Sequence, residues 1–139
     1  MATQLLFIYG TLLQSDNEFA LYLQKNSAPH GKGKFKGILY DTGEYPGAIL
    51  TGDAKGYVHG HIVLLNDNSV LKNLDRYEGY GPKEPQPDLF IRKRIAIETE
   101  TGLVKCWVYL YNLPIDGLHQ ITSGDYVSYK KGQKKSPGI

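Results

Sequence analysis

A single cysteine stands in 139 residues, and Cys106 alone cannot close an intrachain disulfide, so a small secreted scaffold stapled by disulfides is excluded. No apolar run approaches the roughly 20 residues that cross a bilayer as a helix. Met1 to Gly10 carries neither a basic n-region nor the long apolar core of a secretory leader, and the expected setting is a reducing cytoplasm. Gly31 and Gly33 lack the continuing pattern and the following helix of a phosphate loop or dinucleotide fingerprint, so no nucleotide cofactor is expected. An excess of one charge is missing too: 16 Lys plus Arg against 14 Asp plus Glu leave +2, too little to infer a nucleic-acid binder.

What remains is an ordinary globule's composition, 41% hydrophobic, in a length that suits one domain with one core. Tyrosine is abundant, 11 residues against 4 phenylalanines, which supplies ring surfaces with a polar end to satisfy, of the kind that line a polar cleft.

Periodicity divides the chain into about six strands and two helices. Leu5 to Tyr9 reads as a buried strand halted by Gly10. Ser15 with Glu18 makes a capping box for a helix that puts Phe19, Tyr22 and Leu23 on one face up to about Asn26. Phe35 to Tyr40 and Ala48 to Leu50 flank the turn formers Asp41, Gly43 and Pro46-Gly47, the pattern of a hairpin. Tyr57 to Leu65 is strand-like, with Gly60 inside it as a sign of a bulge or close backbone approach. Asn66, Asp67 and Asn68 offer N-caps for a second helix carrying Val70, Leu71, Leu74 and Tyr77 at helical spacing, stopped by Gly79 and Gly81. After a loop stiffened by Pro82, Pro85 and Pro87, Phe90 to Glu98 and Leu103 to Tyr111 form a second hairpin around Thr101-Gly102. Lys130 to Ile139 has no apolar face to bury, and the expectation is one domain over 1–129 followed by a mobile basic tail over 130–139.

Few groups stand out chemically. His59 and His61 share a strand face but lack a third ligand at a recognisable spacing, so no metal site is expected. Cys106 alternates with Val104 and Val108 and reads as a packed, inert thiol. Arg92, Lys93 and Arg94 divide between two strand faces and read as a solvated edge with room for one arginine turned inward.

Two segments at the ends of elements are less ordinary: Tyr9-Gly10-Thr11-Leu12, leaving the first strand, and Leu74-Asp75-Arg76-Tyr77-Glu78-Gly79-Tyr80, leaving the second helix. A strand exit can present successive backbone N–H groups to an anion, although a plain glycine turn has the same sequence. Glu78 would meet the negative end of the helix dipole, with Tyr77 and Tyr80 to desolvate it, and both effects favour a carboxylate that accepts a proton readily.

The chain resembles the γ-glutamylcyclotransferase-like family, including its small γ-glutamylamine cyclotransferase and plant avirulence-induced-gene-like branches. Tyr9 to Leu12 looks like that family's substrate-cradling loop, Tyr45-Pro46-Gly47 like its Tyr-Pro turn, Val58-His59-Gly60 like its glycine-bearing strand, and Leu74 to Tyr80 like its catalytic segment. Phe90 to Arg94, Trp107-Val108-Tyr109 and Ser123-Gly124-Asp125-Tyr126 are similar to its later blocks.

The resemblance implies an α+β fold with a compact, barrel-like mixed sheet and flanking helices. It implies Glu78 as catalytic acid/base and Tyr9, Gly10, Thr11, Leu12, Tyr45 and Tyr109 as substrate-binding residues, with no metal and no cofactor. The implied substrate is a γ-glutamyl small molecule, cyclised to 5-oxoproline with release of an amine. A non-catalytic binding module of the same fold is the alternative. Neither nucleic acid nor membrane is an expected partner.

Overall fold

A computed structural model describes residues 4–10, 18–43, 46–53, 55–67, 69–77 and 90–135. The element order is β1 (Gln4–Ile8), α1 (Glu18–Lys25), β2 (Ser27–Asp41), β3 (Pro46–Leu50), β4 (Tyr57–Leu65), α2 (Ser69–Tyr77), β5 (Phe90–Thr99), β6 (Gly102–Tyr111), β7 (His119–Gln120) and α3 (Tyr126–Lys135). The fold is α+β, as expected, with one more strand and one more helix than periodicity alone indicates.

Five strands close a barrel in the order β2-β4-β1-β6-β5, and β5 returns to β2 through the pair Lys34 and Glu98. The sheet is mixed because β1 runs parallel to β6, with Leu6 beside Trp107, while the other pairings are antiparallel. β2 is long enough to serve two sheets: its first part pairs β4, and its last residues pair β3 on one edge and β7 on the other.

Side-chain alternation sends the apolar residues to two places. Phe7, Phe35, Val58, Ile62, Ile97, Cys106 and Val108 fill the barrel. Leu6, Ile8, Leu65 and Tyr109 point outward and are covered by Leu23 of α1 and Val70, Leu71 and Leu74 of α2. β1 is therefore buried on both faces, which is why it reads as a continuous apolar run with no polar alternation. Gly60 sits where β4 crosses β1. A Cβ there would lie 2.2 Å from the Ile8 carbonyl oxygen and 2.7 Å from the Phe7 ring, the close approach that an interior glycine signals.

At nine residues α2 is too short to persist alone and depends on docking. Val70, Leu71 and Leu74 are each at most 5% exposed, and each contributes about 1.5–3 kcal/mol by leaving water. Asp67 lies just before the helix, and its carboxylate accepts from the Ser69 hydroxyl and, at 2.8 Å, from the Ser69 N–H; these bonds hold its pKa below the ordinary carboxylate value. α1 ends in side-chain caps, with Asn26 donating to the Tyr22 carbonyl and Ser27 to the Leu23 carbonyl.

α3 carries residues 130–135, the first part of the expected tail, as helix. Its anchor lies before the lysines: Tyr126 is 2% exposed in the barrel core, and Tyr129 donates to Asp41 at 2.6 Å. Asp125 caps it by accepting from the Ser128 N–H at 3.1 Å.

Candidate functional site

β1 ends by delivering Tyr9 into the barrel, on the same face as Phe7 and 6% exposed. Its hydroxyl donates to the Tyr109 carbonyl at 2.5 Å and accepts from the Ala48 N–H at 3.3 Å. The phenol thus joins β1 to β6 and to β3, and it is engaged inside the protein. Gly10 then turns directly against the start of β3: a Cβ on it would lie 2.5 Å from Cγ of Pro46. Two of the short motifs, Tyr9-Gly10 and Pro46-Gly47, therefore meet across a contact that only glycine allows.

α2 approaches the same neighbourhood from outside the barrel. The Tyr109 ring is 4% exposed beneath it, and its hydroxyl donates to Asp75 Oδ1 at 2.7 Å, with the Leu71 carbonyl 3.4 Å away. Arg92 of β5 grips the same carboxylate with two N–H groups, at 2.7 and 3.0 Å. The guanidinium lies 4.4 Å from the centre of the Trp107 ring, and the Trp107 N–H donates to Gln4 at 2.7 Å. Asn73 donates to the Tyr22 hydroxyl at 2.7 Å and so links α2 to α1.

Of the residues singled out by sequence, Tyr9, Gly10 and Tyr109 are brought together. Glu78, Thr11, Leu12 and Tyr45 lie outside the described residues. Asp75 and the pairing role of Arg92 were not singled out. The signal for Arg92 was the possibility of one inward arginine in the run, and for Asp75 it was a charge in the last turn of an otherwise docked helix.

Other candidates fall elsewhere. His59 and His61 are exposed on the outer face of β4, and the described residues hold no group of three or more metal-ligating side chains. Cys106 is fully buried, and desolvation pushes its thiol up to about 11, so it stays protonated at neutral pH. A hollow of about 450 Å³ opens where β4 leaves β2 and β7 joins it, bounded by Gly37, Leu39, Asp53, Tyr57, Gln120 and Thr122. At the hairpin between β2 and β3, burial raises the pKa of Asp41, but the bonds from Tyr129 and Gly43 and the charges of Lys130 and His119 outweigh it and the net shift is downward. The same Asp41 bond pushes the Tyr129 phenol up to about 12.

The model of the gamma-glutamyl cyclotransferase, AIG2-like family matches residues 6–128. The gamma-glutamylcyclotransferase family protein YtfP of Escherichia coli K12 is 36% identical over 93 residues, 67% of this chain and 70% of that protein. The solution structure of E. coli ytfP superimposes with a TM-score of 0.65 at 29% identity, covering 91% of this chain and 99% of that one. YkqA of Bacillus subtilis shares the fold with a TM-score of 0.73 at 24% identity, covering 99% of this chain but 44% of that longer one. An aig2-like protein of Mus musculus shares it with a TM-score of 0.63 at 24% identity, covering 82% of each. The chain belongs to the gamma-glutamyl cyclotransferase, AIG2-like family.

Proposed function

We propose that the chain is a cyclotransferase that converts a γ-glutamyl amine or amino acid to 5-oxoproline and the free amine, in the cytoplasm, with Glu78 as acid/base. The observation that carries the reading is the double use of Tyr109, whose carbonyl holds Tyr9 at the β1 exit and whose hydroxyl holds the last turn of α2. The two segments expected to carry the chemistry are thereby tied to one residue, and Glu78 follows α2 directly in the chain.

Glu78 takes a proton from the substrate's α-ammonium, and the freed amine attacks the γ-carbonyl carbon of the same molecule. One C–N bond forms and closes the five-membered lactam, whose nitrogen then gives up a second proton; the original C–N bond breaks, and the leaving nitrogen takes up both protons and departs as its ammonium form. The balance needs no water, oxidant or protein nucleophile. Because attacker and target share one molecule, the protein's contribution is to hold a near-attack geometry. Backbone N–H groups of Gly10, Thr11 and Leu12 hold the substrate carboxylate or the developing oxyanion in this scheme.

Glu78→Gln keeps the shape and removes the base. We expect loss of 5-oxoproline formation across a panel of γ-glutamyl amines, followed by mass spectrometry, with the thermal midpoint unchanged. Normal turnover by that variant would remove Glu78 from the role. A wild-type protein that binds the substrates and returns them intact would identify a binding module instead.

A further inference from the structure

We propose that Asp75, Arg92 and Tyr109 form one positioning unit that sets the end of α2 against the β1 exit, and so sets the acid/base of the reaction above, on which this proposal rests. Three hydrogen bonds converge on one carboxylate, from Arg92 Nε, Arg92 Nη2 and the Tyr109 hydroxyl. The Arg92 and Asp75 side chains are only 17% and 16% exposed, so water competes little for these bonds. A largely buried ion pair adds little net stability compared with an apolar pair of the same volume, and its presence is weak evidence for a stabilising purpose. Its bidentate fork fixes distance and direction together, which a packed methyl group does not.

The fork is itself immobilised. The guanidinium sits over the Trp107 ring, 4.4 Å from its centre, and Trp107 is tied to Gln4 of β1. On the other side, Tyr109 reaches Asp75 through its side chain while its carbonyl takes the Tyr9 hydroxyl hydrogen at 2.5 Å. Sliding α2 by an ångström relative to β1 would break bonds at both ends, and a misplacement of that size costs about 10²-fold in rate. Tyr109, which the family resemblance implies as a substrate contact, acts in this proposal through Asp75 and as a positioning residue: its ring is 4% exposed, and its hydroxyl is directed to α2.

The test uses the full chain with Asp75→Asn, Arg92→Lys, Tyr109→Phe and the double variant Asp75→Asn/Arg92→Lys, each with two readouts. Amide hydrogen exchange should quicken by about tenfold or more in the last turn of α2 and stay unchanged in β5 and β6. Production of 5-oxoproline should show kcat lowered about 10- to 100-fold with KM within about threefold, and the double variant should fall no further than the worse single one. Arg92→Lys keeps the charge but loses the fork, so wild-type kcat in that variant would overturn the geometric role. Unchanged exchange in α2, or quickened exchange with undiminished kcat, would overturn the proposal as well. If the wild-type protein makes no 5-oxoproline, the reaction is wrong, and the exchange measurement alone still decides whether the three residues hold α2.

Discussion

Replacing Tyr9 with phenylalanine removes one oxygen atom from the barrel interior and leaves the ring beside Phe7 in place. That oxygen donates to the Tyr109 carbonyl at 2.5 Å and accepts from the Ala48 N–H at 3.3 Å. Tyr9 is 6% exposed and Ala48 fully buried, so water does not replace the lost partner. A buried polar group left unsatisfied costs about 1–3 kcal/mol. The short bond counts at the middle of that range, about 2 kcal/mol, and the long one at the bottom, about 1 kcal/mol, so the expected loss is about 3 kcal/mol. For a chain of this size that corresponds to a thermal midpoint lower by about 10 °C. Urea unfolding is the assay, with an unchanged slope expected because the surface exposed on unfolding is the same. Since the phenol is engaged internally, KM for a γ-glutamyl substrate, measured where both proteins are folded, should move by less than about twofold. A loss below about 0.5 kcal/mol would refute the accounting; a raised KM at unchanged stability would show that the hydroxyl faces the substrate instead.

Gly60→Ala pushes a methyl group to 2.2 Å from the Ile8 carbonyl oxygen, a backbone atom held in a paired strand, so a destabilisation of about 3 kcal/mol is expected by urea titration. Gly52→Ala is the control: it meets nothing within 4 Å and should change stability by less than about 0.5 kcal/mol. Cys106 should resist thiol reagents at pH 8 for as long as the chain is folded, and rapid stoichiometric labelling of folded protein would contradict its burial. Its proton is held in the fold up to about 11 against 9.0 ordinarily, so the unfolded chain releases it first and stability falls as pH rises between those values. Cys106→Ala should flatten that alkaline slope even though the cavity lowers stability at every pH.

Much of the architecture is legible locally. The start of α2 just after Asp67 follows from that side chain's ability to bind the orphan N–H groups of a first turn, and the apolar spacing of Val70, Leu71 and Leu74 declares the buried face. Gly60 announced a close approach because a glycine inside a strand is costly unless something must come near. α3 was missed because its anchors, Tyr126 and Tyr129, precede the lysine run that reads as a tail, and Tyr129 docks through a partner 88 positions away. β7 was missed because its two residues are exposed and exist as a strand only through pairing with Tyr40 and Asp41. Arg92 was legible as a charge but not as a clamp, since nothing near it in the chain identifies Asp75.

The sequence by itself determined the strands and helices other than β7 and α3, which faces they bury, and which motifs bear the family's imprint, because each depends on neighbours within a few positions along the chain. Tertiary structure alone decided that β5 closes onto β2, that Gly10 meets Pro46, and that Tyr109 binds Tyr9 with one end and Asp75 with the other. Those contacts join residues 34 to 100 positions apart. Their partners are chosen by the closure of the barrel, which fixes distances that no local pattern encodes.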